Sequence, residues 1–104
     1  MTDSKLIIDQ YDNKYWYQNG ELHRTDGPAA EYASGSKHWY QNGLRHRTDG
    51  PAIEYASGSK AWYQNGIYHR VDGPAVERTN GSKHWWINGK EYILKEWLEV
   101  CSLS

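Results

Sequence analysis

Hydrophobic residues in this chain come in short bursts between polar turns, and the bursts recur at a fixed interval. Trp16-Tyr17, Trp39-Tyr40, Trp62-Tyr63 and Trp85-Trp86 each stand 23 residues after the last. Asn-Gly follows every time, at Asn19-Gly20, Asn42-Gly43, Asn65-Gly66 and Asn88-Gly89. Next come His-Arg (His23, His46 and His69 with Arg24, Arg47 and Arg70) and Asp-Gly-Pro-Ala beginning at Asp26, Asp49 and Asp72. Glu31, Glu54 and Glu77 follow, and Gly-Ser-Lys closes each unit at Lys37, Lys60 and Lys83. A constant period of this length marks a tandem array in which each unit buries its apolar surface against its neighbours.

Within the unit the pattern is that of strands. Asn-Gly is the favoured dipeptide of a type I′ hairpin, whose two central residues both need positive φ. Lys37–Gln41 before it is rich in strand formers. Pro51–Tyr55 reads as a second strand, with its proline at the first position, where the missing N–H is tolerated. Ser57-Gly58 supplies the next turn. The pattern leaves open whether Leu44–Arg47 adds a third strand. As a two-residue turn, Ser57-Gly58 sets Ile53 opposite Trp62 and Tyr55 opposite Lys60, and directly opposed residues share a face. One face then carries the tryptophans with Ala30, Ile53 and Val76, and is expected to be the buried one. The other carries Tyr17, Tyr40, Tyr63 and Trp86 with Ala29, Ala52, Ala75 and the glutamates.

The expected fold is therefore mainly β: tandem β-hairpin repeats forming an antiparallel meander sheet with a short C-terminal capping helix. Residues 1–104 form a single repeat domain. Its parts are an incomplete first unit at 6–15, units at 16–38, 39–61 and 62–84, and a partial unit at 85–90. Over 91–101, Ile93, Leu94, Trp97, Leu98 and Cys101 recur at helical spacing, which predicts the helix that covers the last open edge.

The unit resembles the MORN-repeat variant family, and Trp-Tyr-Gln-Asn-Gly through His-Arg-Thr-Asp-Gly-Pro-Ala is similar to tandem proteins of large phages, giant viruses and some bacteria. The resemblance spans roughly residues 6–90. It implies an elongated antiparallel meander, an interaction role and no catalytic residues to carry over. In a phage or virus the implied partner is a host factor. The His-Arg-x-Asp-Gly-Pro-Ala segment departs from standard units of that family.

Composition narrows the function. With 12 basic and 13 acidic residues, a net charge of −1 and a pI of about 6.5, the chain lacks the basic surplus that non-specific nucleic-acid binding draws on, and no specific nucleic-acid partner is expected. The single Cys101 excludes an internal disulfide and suits a reducing compartment. Nothing at the start resembles a signal peptide, and no apolar run approaches the ~20 residues of a membrane span. A cytoplasmic protein is expected. Mean hydropathy is −0.98, yet 6 Trp and 9 Tyr are present with no Phe, residues suited to half-buried surfaces.

Candidate chemistry is sparse. Histidines two strands apart lie roughly 10 Å from one another, whereas ligands of one zinc ion sit within a few Å, so His23, His46 and His69 are read as structural and no metal is expected. The arginines are expected to pair with Asp26, Asp49 and Asp72 or with the glutamates, the aspartates also capping turns. Nothing separates the glutamates into an acid and a base, no catalytic or cofactor motif is visible, and the chain is read as non-enzymatic and cofactor-free. Trp16, Trp39, Trp62 and Trp85 are assigned to the scaffold. Partner binding is assigned to Tyr17, Tyr40, Tyr63 and Trp86 with the variable Arg45 and Tyr68; Glu21, Leu22, Leu44 and Ile67 vary at the same positions of the unit. A protein partner is expected. The alternatives are a nucleotide or sugar held between rings and arginines, and edge-to-edge self-association.

Overall fold

The structure, a computed structural model, describes residues 4–102. Strand β1 (Lys5–Ile8) turns into β2 (Lys14–Gln18), which crosses the Asn-Gly turn to β3 (Glu21–Leu22) and returns after Gly27-Pro28 as β4 (Ala30–Glu31). The second unit repeats this path with its first strand interrupted at Trp39: β5 (Lys37–His38), β6 (Tyr40–Gln41), β7 (Leu44–Arg45) and β8 (Ile53–Glu54). The third does the same as β9 (Lys60–Ala61), β10 (Tyr63–Gln64), β11 (Ile67–Tyr68) and β12 (Val76–Glu77). Strands β13 (Lys83–Ile87) and β14 (Lys90–Tyr92) begin a fourth unit, which ends in helix α1 (Leu94–Ser102). All pairings are antiparallel, and the main sheet runs β1-β2-β4-β5-β8-β9-β12-β13-β14. The fold is the β-meander with a terminal helix that the repeat predicts, 45 × 33 × 17 Å in extent.

Two details settle or correct the sequence reading. Leu44–Arg45 does form a third strand, opposite Tyr40–Gln41 across Asn42 (φ 53°) and Gly43 (φ 79°). The helix starts at Leu94 rather than at 91, because Lys90–Tyr92 completes a hairpin with Trp85–Ile87.

The larger correction is one of register. The Ser57-Gly58 turn is a three-residue loop: the Tyr55 N–H donates to Ser59 O and the Gly58 N–H to Tyr55 O, both at 2.9 Å, with Gly58 at φ 101°. This is a type I turn followed by a left-handed glycine. Ile53 therefore faces Ala61 and Glu54 faces Lys60. A slip of one residue moves every side chain to the other face. Tyr15, Ala30, His38, Ile53, Ala61, Val76 and His84 form one cross-strand row. By alternation the tryptophans lie on the opposite face, with the row of Lys14, Glu31, Lys37, Glu54, Lys60, Glu77 and Lys83. The tryptophan face is thus not the face of Ile53 and Val76, and Trp16, Trp39, Trp62 and Trp85 are only half-buried. The buried residues are chiefly small ones in the middle of the sheet: Ala29, Ala30, Ala52, Ile53, Ala61, Ala75 and Val76.

On the tryptophan face each unit builds the same cluster. The guanidinium carbons of Arg24, Arg47 and Arg70 lie 3.9, 3.9 and 3.7 Å from the ring centroids of Trp16, Trp39 and Trp62. Arg47 Nε donates to Asp49 Oδ1 at 2.9 Å, and Nη1 to Pro51 O at 3.1 Å and Glu54 Oε2 at 3.0 Å. Arg24 and Arg70 make the corresponding bonds. The aspartate side chains are 82–84% exposed and the arginines 19–22%, so the Arg–Asp pairs contribute little through solvent. The stack, worth about 0.5–2 kcal/mol, and the bonds to glutamate and the proline carbonyl carry more. Gly27, Gly50 and Gly73 leave room for the guanidinium, most tightly at Gly73, where a Cβ would lie 2.7 Å from Arg70 Cζ and displace a side chain held by its stack and hydrogen bonds.

Gly73→Ala is accordingly expected to lower unfolding free energy by about 1–3 kcal/mol, the usual cost of overpacking. In an Arg70→Ala background the same change is expected to cost clearly less. Denaturant unfolding of the two single variants and the double variant checks this; an equal cost in both backgrounds would mean the arginine is not what the glycine accommodates.

Candidate aromatic binding face

Each hairpin is tied to the next by backbone and by histidine. The N–H groups of Gly43, Gly66 and Gly89 donate to Leu22 O, Arg45 O and Tyr68 O at 2.8–2.9 Å. The Asn42, Asn65 and Asn88 N–H groups donate to Nδ1 of His23, His46 and His69 at 2.9–3.0 Å. Every histidine of the row thus spends one ring nitrogen as an acceptor, which places its own proton on Nε2. His23, His46 and His69 also stand opposite Trp16, Trp39 and Trp62, each donating its backbone N–H to the tryptophan carbonyl. Glu21, Leu44 and Ile67 sit against the glycines of the following hairpin, so these variable residues pack unit on unit.

The remaining variable positions point to the other face. Tyr17 is opposite Leu22, Tyr40 opposite Arg45, Tyr63 opposite Tyr68 and Trp86 opposite Glu91. Tyr63 and Tyr68 stack at 4.4 Å between centroids, and Tyr68 meets Trp86 at 5.0 Å. The Arg45 guanidinium lies between Tyr40 and Tyr63, 5.7 and 5.6 Å from their rings. Five of the six residues named from sequence, Tyr40, Arg45, Tyr63, Tyr68 and Trp86, therefore join in one half-buried belt. Tyr17 connects differently, through Tyr15 at 6.4 Å.

Sequence reasoning missed the second tier of this face. His38 lies 5.1 Å from Tyr32, 6.3 Å from Tyr40 and 6.2 Å from Tyr55, and Tyr15 meets Tyr32 edge-on at 5.9 Å. Period-two alternation back from Tyr40 puts His38 on the same face, and its place beside Tyr32 and Tyr55 follows from the register of the three-residue loop. Among the described residues, two buried side-chain nitrogens lack a hydrogen-bond partner: His38 Nδ1 and Arg45 Nε. Both belong to the second unit and both lie on this face. Burial, then the Arg45 charge, lowers the His38 pKa below 6.5, while burial and the hydrogen bond with Tyr68 raise the Tyr63 phenol well above 10.0. Burial likewise raises Tyr32.

The tryptophan face differs in chemistry. Its arginines are bonded within their own units, and between units it forms two equivalent clefts of about 420 Å³ each. Among the described residues no group of three or more His, Cys, Asp and Glu side chains is placed to hold a metal ion, and no helix is long and apolar enough to cross a membrane. No family model, curated protein or solved structure matches the chain.

The lowered His38 pKa has a direct consequence for stability. Below pH 6.5 the unfolded chain takes up a proton that folded His38 resists, so the contribution is complete above that value and is lost as pH falls through the lowered folded value. Between about pH 7 and about pH 5, the wild type is expected to lose more stability than His38→Ala, which carries the residue that stands at Ala61 in the next unit. Unfolding midpoints at the two pH values test this, and equal losses would contradict it.

Proposed function

We propose that the chain is a non-enzymatic binding module that engages another protein through its tyrosine face, with Arg45 as the central anchor. One observation carries the reading. A guanidinium held between two half-buried rings keeps Nε out of solvent and without an acceptor, whereas Arg24, Arg47 and Arg70 are bonded internally. A buried donor left unpaired costs stability, and a partner carbonyl or carboxylate that draws the guanidinium outward onto itself would remove that cost. Tyr, Trp and Arg are also the residues that dominate binding energy in protein interfaces. The repeated opposite face has the chemistry of a scaffold, while the non-repeated Arg45 and Tyr68 give this face one distinctive stretch.

The likeness to tandem proteins of phages and giant viruses extends the proposal to a host protein as the partner. Within the same reading the partner meets an open belt rather than a reactive centre, and no step of bond making is assigned to the chain.

Affinity capture with wild type, Arg45→Ala, Tyr68→Ala and Lys37→Glu tests the assignment. The first two variants are expected to weaken the captured partner by roughly 30-fold or more, the loss typical of a central anchor. Lys37→Glu, on the opposite face, is expected to retain it. Equal recovery by all four proteins would remove the tyrosine face from the account. A nucleotide or oligosaccharide that raises the melting temperature of wild type but not of Arg45→Ala would replace the protein partner with a small ligand.

A further inference from the structure

The fourth unit differs from the others in a way that identifies an occupant for the clefts on the tryptophan face. Trp85 ends the tryptophan row, but Ile93 stands where Arg24, Arg47 and Arg70 stand in the preceding units. Trp97 of α1 lies against Trp85 instead, with centroids 6.5 Å apart. Its indole N–H donates to Arg70 O at 3.3 Å. It is 8% exposed, the one buried residue of its helix.

Arg70 and Trp85 have exact 23-residue counterparts. One cleft is walled by Arg47 and Trp62, the other by Arg24 and Trp39. In each, the residue whose carbonyl would accept an indole N–H and the ring that would flank it are present, and the cleft between them is open. Among the described residues neither Arg24 O nor Arg47 O accepts a hydrogen bond. Trp97 is not simply a replacement for the missing arginine. The guanidinium of Arg47 is bonded to Asp49, Pro51 and Glu54 of its own unit, whereas Trp97 reaches back to the carbonyl of the preceding unit. That carbonyl belongs to the cleft wall.

We infer that the two clefts are docking sites for tryptophan side chains presented by a helix of a partner polypeptide, and that Trp97 is the built-in occupant of the third. The indole would enter between the loop of one unit and the tryptophan of the next, its N–H directed at Arg24 O or Arg47 O. The Nε2–H of His46 or His69, each lining one cleft, is a further donor for the partner's backbone. Thr48 lines both clefts, so the two sites are adjacent and suit a partner that carries more than one such residue. This surface is separate from the tyrosine face, and neither reading depends on the other.

The test uses the full chain and a synthetic peptide of residues 92–102, which carries Trp97, titrated while backbone and histidine NMR signals are followed. The expected result is saturable binding of two peptides per chain, with shifts at His46, His69, Thr25 and Thr48. Binding is expected to be lost when the peptide carries Trp97→Ala. Thr48→Arg in the protein, at an exposed position, is expected to abolish both sites. Thr25→Arg, which lines only the cleft walled by Arg24 and Trp39, is expected to reduce the stoichiometry to one, and it decides the matter if Thr48→Arg does not fold. No binding, binding that survives loss of the peptide tryptophan, or a single site confined to Trp85 and α1 would overturn the inference.

Discussion

The structure depends on a guanidinium clamped between a tryptophan ring and a glycine. In each full unit the arginine lies over the indole, bonds one glutamate and one proline carbonyl, and occupies the space a Cβ on the neighbouring glycine would take. The planar fork satisfies stack and bonds together, which a point charge cannot do. Those contacts join the first strand of a unit to its return strand and fix how far the loop between them reaches. With the loop fixed, Ala29, Ala52 and Ala75 fall at the centre of the sheet, fully buried. A chain this small buries limited apolar surface, and the arginine clamp adds ordered contacts that a larger core would otherwise supply.

A repeat of this kind has two ends that interior units do not. At the C-terminal end the sheet stops at β14, and α1 lays Trp97 on the last tryptophan of the row. The same division of labour separates the faces. On one face each arginine is bonded within its own unit, to glutamate and a proline carbonyl, with clefts left between the units. The other carries half-buried rings and two buried nitrogens that have no hydrogen-bond partner among the described residues. Buried polar atoms left unpaired are rare in an otherwise paired structure, and the proposed binding role rests on that contrast.

Much of this was legible in the sequence. The 23-residue spacing of Trp16, Trp39, Trp62 and Trp85 gave the array, and Asn-Gly gave the hairpins, because a type I′ turn has few alternatives. The faces were not legible, because Ala-Ser-Gly and Ser-Gly make equally plausible turns while differing by one residue in register. That residue decided whether Ile53 met Trp62 or Ala61. The tyrosines, Arg45 and Tyr68 still fall on one face, since their relation to one another is set by the Asn-Gly hairpin and not by the misjudged loop. His38 escaped notice for the opposite reason: its place beside Tyr32 and Tyr55 depends on that loop. The stacking of arginine on tryptophan also went unread, because the pairing expected for Arg47 was with carboxylates alone, and both kinds of partner are present.

The most direct measurement is the denaturant stability of Arg47→Lys set beside Arg47→Ala and wild type. If the planar stack on Trp39 and the simultaneous bonds to Pro51 and Glu54 hold the unit, lysine keeps the charge but restores little, and its unfolding midpoint lies near that of the alanine variant. A lysine variant as stable as wild type would show that charge alone suffices and that the clamp is not what organises the repeat.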